Sequence, residues 1–367
     1  MKKREFLKLF GMGITGITLT PGLVAGCRSG DIKTNSLNWV WMSGQSISEQ
    51  ELGEKFRFLK ECDIHGILIQ GDSDFYRFIA PVAKQSGLEI HAWIIVLNNR
   101  DPEILENHPD WFTVSREGKS SCDYQPYVDY YSWLCPSRKE VREYLANCLD
   151  KLAGIKELDG VHLDYIRYSD VILPKGLWAK YNLVQDKEYP EFDFCYCDVC
   201  RKQFGKQEGI DPMELEDAPA NDAWRQFRLD SITNLVNMLA DVVHAHSVKL
   251  SAAVFPTPDI ARKLVRQDWP RWNLDTIHPM IYHDFYEKEI EWIEEATRKG
   301  VHALNGKFPV YSGLFVPEIP PNRLKDAVEA AFQGGAMGVT LFNENSMTDE
   351  HWQKFTGMGS KKNPVRF

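Results

Sequence analysis

Basic residues are in short supply in this chain: 43 Lys and Arg stand against 52 Asp and Glu, a formal net charge of −9. Phosphate recognition relies on clustered Lys and Arg. No such cluster occurs, so composition argues against a nucleic-acid partner. Beyond residue 27 no apolar run approaches the ~20 residues needed to span a bilayer. A glycine-rich phosphate loop is also missing, because Ser43-Gly44-Gln45-Ser46 after the first apolar run offers one glycine. That disfavours an open, doubly wound dinucleotide-binding sheet. Seven cysteines remain besides Cys27, an odd number that cannot pair completely.

What the N-terminus does have is an address. Met1-Lys2-Lys3-Arg4 is a basic start, Phe10 to Leu23 is mostly apolar, and Val24-Ala25-Gly26 places small residues before Cys27. The pattern is similar to a bacterial lipoprotein signal, which implies cleavage before Cys27, its acylation, and a tether to the lipid membrane. An uncleaved anchor helix is the competing reading, but Gly11, Gly13, Gly16, Pro21 and Gly22 interrupt it. Residues 1–27 are therefore read as signal and lipidation site, and 28–367 as one folded domain.

Eight apolar runs recur along that domain: Leu37 to Met42, Gly66 to Gln70, Ile90 to Leu97, Gly160 to Leu163, Leu250 to Phe255, Thr276 to Ile281, Val310 to Phe315 and Gly338 to Phe342. Amphipathic stretches at helical spacing lie between them, including Gln50 to Cys62, Lys139 to Leu152, Asn221 to His246, Glu287 to Lys299 and Arg323 to Gln333. Strands alternating with helices predict a parallel sheet, and eight such units predict a (β/α)8 TIM barrel. Two long insertions, Asn98 to Leu134 and a cysteine-rich one at about 169–220, follow the third and fourth strands. Loops of that length are usually functional, and in a barrel both fall on the catalytic face.

The segment Asp159-Gly160-Val161-His162-Leu163-Asp164-Tyr165-Ile166-Arg167-Tyr168 reads as a short buried strand that ends by presenting a carboxylate, a guanidinium and two phenols. At a barrel strand's C-terminal end such groups are common catalysts. In an ordinary loop the same Asp164 would cap the turn and pair with Arg167. Along the strand, alternation puts His162 and Asp164 on one face and Leu163 on the other.

Together with this segment, His91-Ala92-Trp93, His108-Pro109-Asp110-Trp111, Leu134-Cys135-Pro136-Ser137 and Asp275-Thr276-Ile277-His278-Pro279-Met280-Ile281-Tyr282 make the chain resemble the family-10-like glycosyl hydrolases. The resemblance implies a (β/α)8 barrel, a lipoprotein setting and a carbohydrate substrate. Glycoside hydrolysis generally uses two carboxyl groups. The resemblance and the barrel rule point to Asp164 as nucleophile or cation stabiliser. Asp284 after strand 6 ranks first as its partner, by analogy with barrel glycosidases acting on α-linked sugars, and Glu344 after strand 8 ranks second. Around them His91, Trp93, Asn98, His162, Arg167, Tyr168, Tyr282 and His283 are expected to bind sugar, although His91 and His162 also suit a hydrogen-bonded barrel filling. The strand 7 end, Tyr311 to Phe315, lacks the Glu that many retaining barrel glycosidases carry there.

Cys195, Cys197 and Cys200 lie within six residues, a spacing that converges on one tetrahedral metal. Cys122 and Cys135, bordering the earlier insertion, are candidates for the fourth ligand. The spacing is similar to a cluster in certain barrel β-galactosidases, where zinc is structural. Disulfides compete, since an exported protein meets an oxidising compartment. No organic cofactor is implied. Two further function classes stay open: a non-catalytic glycan-binding lipoprotein, and another carbohydrate-active enzyme such as a lyase or deacetylase.

Overall fold

Short runs buried on both faces, such as Trp39, Val40, Trp41 and Met42, can satisfy their backbone groups only by pairing with neighbours on both sides. In the computed structural model, which describes residues 37–44 and 48–356, they do so around a closed ring. The strands are β1 Asn38–Met42, β2 Ile64–Ile69, β3 Glu89–Ile95, β4 Gly160–Asp164, β5 Lys249–Val254, β6 Thr276–Pro279, β7 Tyr311–Phe315 and β8 Gly338–Phe342. All strand pairs are parallel, in the order β6-β5-β4-β3-β2-β1-β8-β7. Bridges Ile277 to Val310 and Met280 to Gly313 link the two ends, so the eight strands form a (β/α)8 barrel as the alternation predicted.

A helix follows each strand in sequence: α1 Glu49–Glu61, α2 Ser73–Gln85, α3 Lys139–Ala153, α4 Asp222–His244, α5 Pro258–Val265, α6 Trp292–Leu304, α7 Leu324–Gln333 and α8 Asp349–Phe355. Their starts are written locally: Ser48 and Glu51 form a reciprocal capping box on α1, and the Asn221 side chain accepts the Trp224 N–H on α4. The helix expected over Glu287 to Lys299 instead begins at Trp292. Glu287 takes a left-handed φ of 53° that ends the preceding 3-10 turn. Among the described residues no helix is long and apolar enough to cross a membrane. The signal segment and Cys27 lie outside the described residues.

Two apolar layers result. Outward-facing strand residues such as Val161, Leu163, Leu250 and Ile277 pack against the helices. The barrel interior holds Trp39, Trp41, Leu68, Ala253 and Tyr311, with Trp93 and Phe342 nearer the rim. This interior is tightly fitted: a Cβ on Gly160 would lie 2.3 Å from the His91 ring, and one on Gly66 would lie 2.4 Å from Trp39.

The two insertions close over one another. Arg116 N–H donates to Asp193 O at 3.0 Å, Tyr196 N–H donates to Val114 O at 2.7 Å, and Tyr127 stacks on Phe192 at 4.3 Å. Beneath them the Arg228 guanidinium of α4 bonds the Asp193 carboxylate, both fully buried, and Asp193 also accepts the Tyr196 hydroxyl at 2.5 Å.

Candidate active site and thiol cluster

β4 delivers Asp164 to the barrel mouth. On the adjacent strand β3, Trp93, which is in register with His162, points into the same interior and donates Nε1–H to Asp164 Oδ2 at 3.0 Å. The other oxygen, Oδ1, accepts the backbone N–H of Tyr165 at 2.6 Å. Tyr165 makes that bond from a left-handed φ of 52°, a conformation that costs a bulky residue about 1–3 kcal/mol and recurs at functional sites. Burial pushes the Asp164 carboxyl above the usual aspartate range, against the two N–H bonds and the Arg167 charge, which pull it down. The result is a buried carboxyl with both oxygens held.

Aromatic side chains from four strands, β1, β3, β7 and β8, and from the turn after β6 surround this mouth. Tyr282, just past β6, packs on Phe315 of β7 at 5.1 Å and on Phe342 of β8 at 5.7 Å, while Phe342 meets Trp41 at 5.7 Å and Trp93 at 6.4 Å. Burial, and next the Asp164 charge, holds the Tyr282 phenol well above its ordinary value. Apolar ring faces beside a fixed carboxyl suit the hydrocarbon faces and hydroxyl edges of a sugar ring. Phe315 and Phe342 were not singled out from the sequence, although each is the last residue of its strand and so belongs to the rim.

The remaining expected residues are dispersed. His91 and His162 sit inside the barrel, both within hydrogen-bond distance of Ser251 Oγ, at 2.8 and 2.9 Å. Trp41 Nε1–H donates to His162 Nε2 at 3.2 Å, so the neutral His162 carries its proton on Nδ1. Burial holds His162 and His278 well below the ordinary histidine value. Asn98 is spent on the loop, accepting the Ser132 N–H at 3.0 Å. Arg167 is buried and pairs with Asp170 at 2.9 Å, not with Asp164. Tyr168 is buried against the cysteine cluster. His283 is buried, and burial lowers its pKa.

Of the two partner carboxylates, Glu344 forms an ion pair with Lys55 at 3.0 Å. Asp284 is exposed, on a 3-10 turn two residues beyond Tyr282. Glu318, which follows β7 in another 3-10 turn, is raised above its ordinary value by partial burial and by the nearby Asp284 charge.

Four thiols converge where the insertions meet: Cys135, Cys195, Cys197 and Cys200, all buried, with Sγ atoms within 4.8 Å of one another. Cys135 Sγ lies 3.6 Å from both Cys197 and Cys200. Cys122 is elsewhere, its thiol directed to Leu105 O at 3.8 Å. Four thiolates at these spacings could hold one metal ion, since a tetrahedral site with Zn–S of about 2.3 Å has sulfurs about 3.8 Å apart.

Eight parallel strands closed into a barrel, with polar and aromatic groups presented at their C-terminal ends, define the class of (β/α)8 barrel proteins. Residues 67–305 match the family described as "Putative glycosyl hydrolase domain", and the chain belongs to that family. Solved structures share the fold. The PgaB (BpsB) glycoside hydrolase domain from Bordetella bronchiseptica superposes with a TM-score of 0.63 at 12% identity, covering 87% of this chain and 98% of that one. The β-amylase catalytic domain from Paenibacillus polymyxa gives 0.57 at 12% identity, covering 88% and 95%. The β-galactosidase from Halorubrum lacusprofundi gives 0.59 at 11% identity, covering 87% of this chain and 57% of that longer one. No curated protein sequence matches the chain. By its family the protein is a glycosidase.

Proposed function

We propose that the protein hydrolyses an oligosaccharide or polysaccharide at the cell envelope, with Asp164 as the catalytic nucleophile or cation stabiliser. The observation that carries this reading is the fixing of both Asp164 oxygens at the aromatic barrel mouth by Trp93 and Tyr165. In the ionised form that carboxylate faces the anomeric carbon as the glycosidic bond breaks and positive charge develops there. A second carboxyl gives its proton to the departing oxygen, and water supplies the hydroxyl of the new reducing end. Asp284, open to solvent on the rim turn after β6, is the first choice for that acid. Glu344, already paired with Lys55, is the second.

Around this chemistry Trp93 and Tyr282 present aromatic faces to the sugar. The narrower likeness to the family-10-like group belongs to the same proposal, as does the lipid anchor on Cys27. We assign structural zinc to Cys135, Cys195, Cys197 and Cys200. The all-sulfur donor set and its spacing support that metal, and four protein ligands leave no position for substrate.

The test is release of reducing ends from a panel of envelope and plant polysaccharides and from aryl glycosides. Asp164→Asn should lower turnover by at least about 10³-fold, with Asp284→Asn and Glu344→Gln showing which partner matters. Undiminished hydrolysis by Asp164→Asn ends the proposal. Binding of a glycan without cleavage by the unaltered protein would replace it with the glycan-binding reading.

A further inference from the structure

Arg167 is an expensive group to bury, and its hydrogen bonds go to Asp170, Tyr168 and Tyr131, not to Asp164. Its guanidinium is enclosed by rings: 4.8 Å from the Trp133 centroid, 5.1 Å from Phe255, 5.2 Å from Tyr165 and 6.0 Å from Tyr131. Nη1 donates to Asp170 Oδ2 at 2.9 Å and to Tyr168 O at 3.0 Å, and Nη2 reaches the Tyr131 hydroxyl at 3.4 Å. Asp170 is itself buried, so the two charges compensate each other in place. The Tyr127 hydroxyl donates to the Asp170 carbonyl at 2.7 Å, which ties this unit to the insertion after β3.

The ring of Tyr165 is one wall of that cage, and the backbone N–H of Tyr165 is one of the two donors that hold Asp164. Tyr165 adopts a left-handed φ of 52°, which a tyrosine keeps only when its surroundings fix it. The ring also packs on Trp133 at 5.7 Å and Tyr131 at 6.2 Å, and the Tyr165 carbonyl accepts Leu97 N–H at 3.3 Å. The chain between Asp164 and Asp170 is thus a short strap that turns on Tyr165 and is pinned by Arg167.

We infer that Arg167 is a positioning residue for Asp164: clamped by Asp170 and stacked on the Tyr165 ring, it holds Tyr165 in the conformation that aims its N–H at Asp164 Oδ1. The inference rests on the reading of Asp164 as catalytic. Loss of Arg167 reaches Asp164 through the Tyr165 backbone donor and through the missing charge, and not through contact with sugar; Arg167→Lys keeps the charge and so separates the two. The charged and titratable groups that face Asp164 are few: Arg167 and Tyr165 on its own strap and Tyr282 from the end of β6, with the uncharged Trp93 from β3. A change in its titration therefore reports on this small set.

The experiment follows the Asp164 carboxyl directly, by ¹³C NMR of protein labelled at aspartate, with the resonance assigned by its absence from Asp164→Asn. Arg167→Met should shift the Asp164 titration to higher pH and lower kcat about tenfold or more with KM little changed. Arg167→Lys, which keeps charge without the planar fork, should restore part of the titration and little of the rate. Asp170→Asn, which frees the guanidinium, should move the titration in the same direction as Arg167→Met. A folded Arg167→Met protein with the unaltered Asp164 titration overturns the inference. If Arg167→Met does not fold, an unaltered titration in both Arg167→Lys and Asp170→Asn overturns it equally. Hydrolysis retained by Asp164→Asn would sink the catalytic reading alone, because the titration still judges the clamp.

Discussion

A buried carboxyl that accepts two N–H bonds is balanced between opposing effects, and the balance can be tipped one donor at a time. Burial favours the protonated form of Asp164, while Trp93 Nε1–H and Tyr165 N–H favour the ionised one. Trp93→Phe keeps a ring at the mouth and deletes one donor, so the ionised form loses support and the carboxyl titrates at higher pH. If Asp164 acts ionised, as nucleophile or stabiliser, the acid limb of the kcat/KM profile belongs to it. That limb should lie above the ordinary aspartate range in the unaltered protein and move further up in Trp93→Phe. On the acidic side the variant should lose roughly tenfold to a hundredfold in rate, the worth of one hydrogen bond to a charge. A shift of the alkaline limb instead would make Asp164 the general acid, and no shift in either limb would remove Trp93 from the balance. The sequence contained both partners, since His91-Ala92-Trp93 and His162-Leu163-Asp164 alternate in step. It did not contain the direction of Arg167: regular alternation stops at Tyr165, where φ turns positive. Past that residue, spacing no longer says which way a side chain points, and the arginine expected beside the sugar turns instead to Asp170.

At the scale of elements, the eight strands were legible because each is a short apolar run between polar turns, and their observed ends differ from expectation by a few residues. The insertions were legible only as length and cysteine content. Whether Cys122 or Cys135 completes the cluster depends on how two loops distant in sequence dock, which no local pattern encodes. The docked answer, Cys135 with Cys195, Cys197 and Cys200, predicts that purified protein carries about one equivalent of zinc. Cys197→Ser should lose it, as should a strong chelator acting on the unaltered chain. Metal loss should lower the thermal midpoint and open the insertion at about 169–220 to protease, because four buried thiols would lose their shared ligand. Cys122→Ser should change neither the metal content nor the cleavage pattern. Metal content measured by mass spectrometry, beside limited proteolysis, checks both statements. Zinc retained by Cys197→Ser would refute the assignment.

The whole molecule has two ends with different tasks. Asp164, Tyr282 and Phe342 lie where the strands finish, whereas Leu37 immediately precedes β1 at the opposite end of the barrel, beside Met337 before β8. In the proposed lipoprotein, residues 28–36 alone separate the acylated Cys27 from that end. Nine residues reach at most about 30 Å when fully extended, which keeps the Leu37 end of the barrel, and not the mouth, within that distance of the anchoring lipid. Its mouth should therefore face away from the lipid, open to polymer arriving from the aqueous side. Cys27→Ala should move the protein from the membrane fraction to the soluble one. The orientation has a sharper consequence for rate. A long polysaccharide should be cleaved equally fast by the anchored protein in vesicles and by the soluble Cys27→Ala protein, as should a short oligosaccharide. A mouth pressed toward the bilayer would instead slow the anchored form on the polymer alone, by about the tenfold or more that restricted access imposes on encounter. Equal rates on both substrates support the outward orientation, and a selective loss on the long one contradicts it.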